Sequence, residues 1–186
     1  GAPHERIFFD NMGADFIAIS AHKMAGPTGI GCILVKPDAM AEMGPFMTGG
    51  SMIRRVSTEG TTFQEGHAMF ETGTPRIAEA IGWGAAVQWL SQFDMREVHA
   101  HIHDIASWTA DQMLEIPGIR IFGDPNLPNS SGAVSFLHDS IQSQDLAILL
   151  DEGGFAVRTG HHCAQPLMDA LGVPSTNRAS FWIYNT

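Results

Sequence analysis

The chain has 186 residues, 44% of them hydrophobic and 16% charged, so it is long enough to form a folded domain with a buried core. Its net charge of −10, without any basic cluster, argues against nucleic acid or an anionic membrane as a partner. No signal peptide is visible, and no apolar run approaches the ~18 residues of a membrane span. We therefore expect a cytoplasmic protein. Its two cysteines, Cys32 and Cys163, are too few for a disulfide framework.

The first predicted elements are two short buried strands joined by a glycine-rich turn. Residues 14–19 and 32–35 are the apolar runs, and Lys23 lies in the turn between them. The chain has only one other lysine, Lys36, which we expect to be solvated at the end of the second strand. If an amine takes part in chemistry, Lys23 is the better candidate.

Lys23 has the surroundings of a reactive amine. A lysine that is partly desolvated at a strand end has a lowered pKa and can form Schiff bases with carbonyl compounds. Ser20 and His22 flank it and are placed to contact an anionic group. The alternative interpretation is an ordinary exposed lysine in a loop.

The middle of the chain changes character. A short helix is predicted over residues 37–43, and residues 44–73 show little periodicity, as expected of a functional or mobile loop. Thr74 and Pro75 then predict a helix start, with Thr74 as the N-cap and Pro75 at the first helical position. A helix N-terminus binds phosphate well, so Thr74 is a candidate phosphate contact; simple capping is the alternative.

Two long helices follow, one starting at Pro75 and one predicted over residues 95–115. Apolar residues at i, i+4 spacing predict one buried face on each helix. These faces consist of Ile77, Ile81, Ala85 and Trp89 on the first helix, and Val98, Ile102, Ile105 and Trp108 on the second.

The elements after the second helix are shorter and alternate, which is typical of a small α/β unit that begins near Leu114. The predicted strands cover residues 119–122, 133–137, 155–158 and 179–184, and the predicted helices cover 143–152 and 166–171.

A second candidate group lies in the polar loop that follows the third of these strands. Cys163, preceded by His161 and His162, is a candidate nucleophile because cationic neighbours favour the thiolate. Arg158 and Arg178 lie near it in sequence, and a guanidinium can grip a carboxylate with two hydrogen bonds. The alternatives are a metal site, a plain surface loop and ordinary surface arginines.

Metal binding is the weaker hypothesis for these residues. Adjacent side chains such as those of residues 161–163 rarely supply three ligands to one tetrahedral ion, and no CxxC or HxxxH motif completes the set. His99, His101 and His103 fan apart on a helix at about 100° per residue, so we expect them to be solvated. We expect no metal.

Five groups of residues, specific in combination, occur in order over nearly the whole chain. They are Ser20-Ala21-His22-Lys23 with Gly26-Pro27-Thr28-Gly29-Ile30-Gly31; Glu59-Gly60-Thr61-Thr62; Phe70-Glu71-Thr72-Gly73-Thr74-Pro75; Arg158-Thr159-Gly160-His161-His162-Cys163-Ala164; and Arg178-Ala179-Ser180 with Tyr184-Asn185-Thr186. Together they resemble the SUF-type (class II) cysteine desulfurases, pyridoxal-phosphate enzymes of the class V aminotransferase family. The resemblance implies an α/β, aspartate-aminotransferase-like fold.

The resemblance also implies roles for the residues near the lysine. Lys23 would bind pyridoxal 5'-phosphate covalently and move protons on the substrate. Ser20 and His22 would bind the cofactor phosphate. Thr74 would reach the phosphate in the neighbouring subunit, which implies a homodimer.

The remaining roles concern the substrate and the sulfur atom. Cys163 would attack the sulfur of L-cysteine and become a persulfide, leaving L-alanine. Arg178 would hold the substrate carboxylate, with Arg158 close to the site. The sulfur would pass to an acceptor protein of the SUF system for iron–sulfur cluster assembly. The short spacing from Arg158 to Cys163 favours the SUF type, since the other desulfurase class has a longer cysteine loop.

By the same resemblance, residues 1–75 are the C-terminal part of the cofactor-binding large domain, 76–114 are connecting helices, and 115–186 are the small domain with the cysteine loop. The family's ring-contacting aspartate, glutamine and histidine precede the lysine, and their spacing puts them before Gly1. We therefore expect this piece alone to bind cofactor weakly and to turn over little.

Three alternatives remain open from the sequence. The first is selenocysteine lyase, which shares the fold and the use of a lysine and a cysteine. Comparing the turnover of L-selenocysteine with that of L-cysteine distinguishes it. A non-catalytic binding or scaffold role is the second. A zinc-binding module built on residues 161–163 is the third, and metal analysis of the purified protein tests it.

Overall fold

The computed structural model describes residues 3–128 and 130–186. The chain forms two compact units, which are described separately below. One unit comprises residues 7–93, and the other comprises residues 3–6 together with 94–186. No helix in the described part of the chain is long and apolar enough to cross a membrane.

The unit of residues 7–93 begins with an antiparallel pair of strands. β1 (Phe16–Ser20) and β2 (Gly31–Val35) pair along their whole length, which confirms the predicted position of the two strands. They are not buried as predicted, because Phe16 is 47% and Ile33 64% exposed. The turn that carries Lys23 is the connection of this hairpin.

A second hairpin follows where little regular structure was predicted. After the short helix α1 (Pro37–Ala41), β3 (Ile53–Ser57) pairs with β4 (Gly60–Phe63). The expectation of an irregular segment over residues 44–73 is therefore wrong. Most residues of these two strands are exposed. Their sequence therefore does not need the apolar alternation that marks a half-buried strand, and the hairpin was not predicted for this reason.

The helix α2 (Ile77–Leu90) begins later than predicted. Arg76, the residue before it, has a ψ of 74°, outside the helical region, so Pro75 lies two residues before the helix and not at its first position. Thr74 is therefore not the N-cap, and the prediction that it caps this helix is wrong.

The predicted buried face of α2 is also wrong. Ile77 and Ile81 are 59% and 71% exposed, whereas Ala86 and Leu90, on another side of the helix, are buried. Ala85 and Trp89 are exposed as well. Apolar residues occur around most of α2, so their spacing does not determine which side is buried.

In the second unit, the helix α3 (Met95–Leu114) matches its predicted range within one residue. The Asp94 side chain accepts a hydrogen bond from the backbone N–H of Arg96 and caps the helix at 2.9 Å. Of the predicted face, Val98 and Ile102 are buried, Ile105 is half-buried and Trp108 is 65% exposed. The buried face continues instead through Ala106 and Ala110.

A four-stranded antiparallel sheet in the order β5-β6-β8-β7 follows α3. Its strands and the two remaining helices are β5 (Ile119–Phe122), β6 (Ala133–His138), α4 (Ser143–Glu152), β7 (Arg158–Gly160), α5 (Gln165–Leu171) and β8 (Thr176–Ser180). The first two strands and both helices lie where they were predicted. The other two strands do not: β7 begins three residues late and β8 three residues early.

The two faces of this sheet differ. Val134 on β6 packs with Ala106 and Ala110 of α3 in the core of the unit. Arg178 on β8 pairs with Ser135 of β6 on one side and with Arg158 of β7 on the other. Because side chains alternate along a strand and paired residues share a face, both arginines lie on the face opposite Val134.

The expectation that the three alternating histidines of α3 are solvated is wrong, because each ring makes a hydrogen bond. The Nε2 atoms of His99, His101 and His103 lie 2.9 to 3.3 Å from the backbone carbonyls of Pro128, Asn185 and Asn126, in that order. A carbonyl oxygen only accepts, so each ring donates from Nε2. These bonds hold the chain after β5 and the last residues of the chain onto α3.

Candidate functional site

The Lys23 turn, residues 21–30, is organised around the backbone of Ala21, which is completely buried. The Ala21 carbonyl accepts hydrogen bonds from the N–H groups of Met24 at 2.8 Å and Gly26 at 3.0 Å. The Ala21 N–H donates to the Ile30 carbonyl at 3.2 Å, across the base of the turn. These bonds fix a single-turn 3₁₀ helix, Ala21–Lys23, directly after β1.

Close packing against α2 shapes the same turn. A Cβ atom on Gly26 would lie 2.9 Å from the Ala21 carbonyl oxygen and 3.0 Å from Cδ1 of Trp83. A Cβ atom on Gly82 of α2 would touch the ring of Pro27 at 3.5 Å. The turn therefore takes its shape from positions where a side chain is missing or small.

The two lysines of the chain have different environments. The Lys36 ammonium forms an ion pair with Asp15 at 3.4 Å. The expectation that Lys36 is only solvated is therefore wrong. Lys23 is exposed, and its ammonium has no ion pair or hydrogen bond with any residue of the described part. The expectation that Lys23 is partly desolvated is therefore wrong for this chain.

Ser20 and His22 are exposed beside Lys23, and neither side chain makes a hydrogen bond within the described ranges. A hydroxyl, an imidazole and an ammonium on four consecutive residues form a donor set that suits a phosphate and a reactive carbonyl. The chemistry of this set fits pyridoxal phosphate.

Thr74 follows a segment that has its own hydrogen bonds. The N–H of Gly73 donates to the Gly50 carbonyl at 2.8 Å, and the Thr72 hydroxyl donates to the Met47 carbonyl at 3.3 Å. These bonds attach the segment before Thr74 to the loop before β3. Thr74 is exposed, and no hydrogen bond links it to the Lys23 turn among the residues described.

The Cys163 turn, residues 161–164, follows β7 and has an unusual backbone. His162 and Cys163 have φ angles of 55° and 63°, the left-handed region that residues other than glycine rarely adopt. This conformation costs roughly 1–2 kcal/mol per residue. The turn is closed by a 2.9 Å hydrogen bond from the Ala164 N–H to the His161 carbonyl.

The sulfur atom of Cys163 lies beside an arginine. Cys163 is exposed, and a terminal N–H of Arg158 donates to Sγ at 3.4 Å. Cys32, by contrast, is half-buried, and burial raises the pKa of its thiol.

Arg158 and Arg178 form a cationic pair on the face of the sheet opposite Val134. They are direct cross-strand neighbours, and Nε of Arg178 donates to the Ser180 hydroxyl at 3.1 Å. Neither arginine has an ion pair with a carboxylate in the part of the chain that the structure covers. Like charges in such positions repel each other, so the pair suits an incoming anion such as a carboxylate.

His162 supports the Cys163 turn, a role that the sequence did not reveal. Its Nε2 lies 3.0 Å from the carbonyl oxygen and 2.9 Å from the hydroxyl of Thr176 on β8. Burial lowers the pKa of His162, and the nearby Arg178 and Arg158 lower it further, while the bond to Thr176 acts in the opposite direction. Only the pairing of β7 with β8 brings Thr176 to this turn, so no sequence signal marks it.

The predicted site residues therefore fall into two groups. Ser20, His22, Lys23 and Thr74 belong to the unit of residues 7–93, and Arg158, Cys163 and Arg178 belong to the unit that contains residues 94–186. In residues 3–128 and 130–186, no group of three or more His, Cys, Asp or Glu side chains is arranged to hold a metal ion.

Comparison with known proteins gives a consistent result. The sequence pattern of the aminotransferase class-V family matches residues 1–186. The chain is 45% identical over 183 residues to a cysteine desulfurase of Haloferax volcanii, covering 98% of this chain and 43% of that protein. It resembles the crystal structure of the cysteine desulfurase CsdA from Escherichia coli, with a TM-score of 0.94, 38% identity, and coverage of 100% of this chain and 46% of that one.

A third similar protein is the cysteine desulfurase of Thermococcus onnurineus NA1 in its apo form, with a TM-score of 0.95 and 34% identity. The match covers 100% of this chain and 46% of that one, so the chain spans less than half the length of these relatives. The likenesses confirm the predicted α/β, aspartate-aminotransferase-like fold.

Proposed function

The chain belongs to the aminotransferase class-V family, and we propose that it is part of a pyridoxal-phosphate-dependent cysteine desulfurase of the SUF type. The reaction converts L-cysteine to L-alanine and leaves the sulfur atom on Cys163. When bound, the cofactor withdraws electrons from the substrate Cα and so makes the Cβ–Sγ bond easier to break. The similarity to cysteine desulfurases over 98% to 100% of the chain supports this choice.

Lys23 provides the reactive amine of the proposed site. Lys23 would hold the cofactor through its amine, and the same amine moves protons at Cα and Cβ of the substrate. Its freedom from any ion pair with the described residues supports this role, because the amine has no partner to give up. Ser20 and His22 bind the phosphate, and Thr74 contacts the phosphate of the neighbouring subunit in a homodimer.

Arg178 and Arg158 provide the anion-binding part. Arg178 holds the substrate carboxylate through its guanidinium group, and Arg158 lies beside it as a second cation. A bound carboxylate also relieves the repulsion between the two arginines.

Cys163 is the nucleophile. Its thiolate attacks the substrate sulfur, a new S–S bond forms, and the Cβ–Sγ bond breaks. The electron pair of the broken Cβ–Sγ bond stays with the carbon skeleton, which takes up a proton at Cβ and leaves as L-alanine. Cys163 is left as a persulfide. A thiol of a sulfur-acceptor protein of the SUF system then removes the outer sulfur atom and restores the Cys163 thiol. This transfer takes place in the cytoplasm.

The observation that carries the proposal is the hydrogen bond from Arg158 to the exposed sulfur of Cys163, next to an arginine pair without a carboxylate partner. The test is an assay of the protein at its natural length with L-cysteine, pyridoxal phosphate and a thiol reductant. We expect equal amounts of L-alanine and sulfide.

Cys163→Ser is the decisive variant and Cys32→Ser its matched control. Replacement of Cys163 should reduce turnover by about a thousandfold or more, because the nucleophile is lost. Replacement of the half-buried Cys32 should leave turnover nearly unchanged. Equal activity of the wild type and Cys163→Ser would contradict the proposal.

A further inference from the structure

The backbone of the Cys163 turn needs support from elsewhere in the protein. Two consecutive residues, His162 and Cys163, have left-handed φ angles although neither is glycine. Such a conformation persists only when the surrounding structure enforces it. The closing hydrogen bond from Ala164 to His161 is local and spans only this one turn.

The His162 ring supplies a connection to the sheet. Its Nε2 is within hydrogen-bond distance of both oxygens of Thr176, and the carbonyl oxygen can only accept. Nε2 therefore carries the proton. Thr176 is 1% exposed and pairs with Gly160, the last residue of β7 before the turn. The ring thus joins the turn to the neighbouring strand.

A second contact places the sulfur atom. Arg158, at the start of β7, donates to Sγ of Cys163, five residues further on. Both contacts are needed to define the position of the sulfur, since one fixes the backbone and the other the side chain. We propose that His162 is a positioning residue, whose Nε2–H bond to Thr176 holds the left-handed turn in which Cys163 meets Arg158.

The charge state of His162 agrees with this role. Burial, together with Arg178, Arg158 and His161, lowers its pKa and favours the neutral ring. Nδ1 is buried and has no hydrogen-bond partner in the described part of the protein, so a proton added there would lack an acceptor. The surroundings of His162 therefore favour the neutral ring with its proton on Nε2.

The first test measures the position of the sulfur without relying on turnover. The rate of alkylation of Cys163 by iodoacetamide is followed by peptide mass spectrometry, with and without the substitution Arg158→Gln. Because a guanidinium interacts more strongly with a thiolate than with a thiol, loss of Arg158 should slow alkylation in the wild type by about tenfold.

The same comparison is then made in three further backgrounds. In His162→Ala the effect of Arg158→Gln should fall below about twofold, because the sulfur no longer lies beside the guanidinium. In His162→Gln, whose amide N–H can replace Nε2–H, the effect should return. His161→Ala is the matched control, since His161 is exposed and its side chain makes no hydrogen bond with the residues described; it should behave like the wild type.

The second test rests on the proposed function. His162→Ala should lower kcat for L-cysteine by about tenfold, the cofactor absorbance should stay unchanged, and His162→Gln should recover most of kcat. An undiminished Arg158 effect in His162→Ala, or failure of His162→Gln to restore that effect, would overturn the proposal. If the Arg158 effect is lost as expected but the wild type does not turn over L-cysteine, the proposed function fails and the positioning role stands.

Discussion

The Lys23 turn and the Cys163 turn each present one side chain that we propose to be reactive, but the two turns are held in different ways. The Lys23 turn is shaped by small residues, with Gly26 packed against the Ala21 carbonyl and Trp83, and the lysine has no partner in the described part of its unit. The Cys163 turn has no glycine and is held by the side chains of His162 and Arg158. The first turn depends on the absence of side-chain atoms and the second on their presence.

The largest effect is expected at Lys23. Lys23→Ala should remove the covalently bound cofactor and reduce turnover by about a thousandfold or more. Lys36→Ala is the matched control, because it removes the only other lysine and loses one ion pair worth about 0–1 kcal/mol. Borohydride reduction followed by peptide mass spectrometry reports which lysine carries the cofactor. Cofactor attached to the Lys36 peptide would contradict the assignment.

The second prediction tests whether missing side chains shape the Lys23 turn. Gly26→Ala should destabilise the protein by about 1–3 kcal/mol and weaken cofactor binding, because the new Cβ would lie 2.9 Å from a backbone oxygen that cannot move freely. Urea unfolding and cofactor titration measure the two effects.

Gly84→Ala, on α2, is the matched control for this substitution. A Cβ at Gly84 meets nothing within 4 Å, so alanine there should stabilise the helix by about 0.5–1 kcal/mol. If Gly26→Ala were as harmless as Gly84→Ala, close packing would not be what shapes the Lys23 turn.

The third prediction concerns β8, the strand that anchors the Cys163 turn. Asn177 is completely buried, and neither Nδ2 nor Oδ1 has a partner in the described part of the protein. An unsatisfied buried amide costs about 1–3 kcal/mol, so Asn177→Val should raise the free energy of unfolding by about 1–2 kcal/mol. Urea unfolding measures it. A loss of stability would mean that the amide makes a contact, such as a buried water, that offsets this cost.

The smallest effect is a pH dependence of stability due to His162. Its folded-state pKa is lowered, so the unfolded chain takes up a proton at a higher pH than the folded chain. The free energy of unfolding should therefore decrease as the pH falls from about 6.5 toward the folded-state pKa, and this group should have no effect at higher pH. The difference between wild type and His162→Gln in urea unfolding at pH 5 to 8 isolates it. A difference that stays constant with pH would contradict the prediction.

The sequence was informative where local rules act alone. The range of α3 follows from apolar spacing, and that of α4 from its sequence with the two glycines after it. The turn with Lys23 could be located because apolar runs border a glycine-rich segment. The proximity of Arg158 to Cys163 could be anticipated, because the two residues lie only five positions apart in the sequence.

Long-range contacts decided the features that were missed. The strand predicted at residues 155–158 begins with three apolar residues, yet Phe155 is 66% exposed and β7 starts at Arg158, where pairing with β8 begins. On α2 apolar residues occur on more than one side, so packing of Ala86 and Leu90 chose the buried face. The contact between His162 and Thr176 spans 14 residues and depends on strand pairing, which one sequence does not encode locally.

The role of Cys163 as the nucleophile is tested most directly by a single turnover with L-cysteine, without reductant or acceptor, followed by mass analysis of the Cys163 peptide. The Cys163 peptide should gain one sulfur atom, one equivalent of L-alanine should appear, and the Cys32 peptide should be unchanged. L-alanine formed without added sulfur on Cys163 would contradict the claim that Cys163 is the nucleophile.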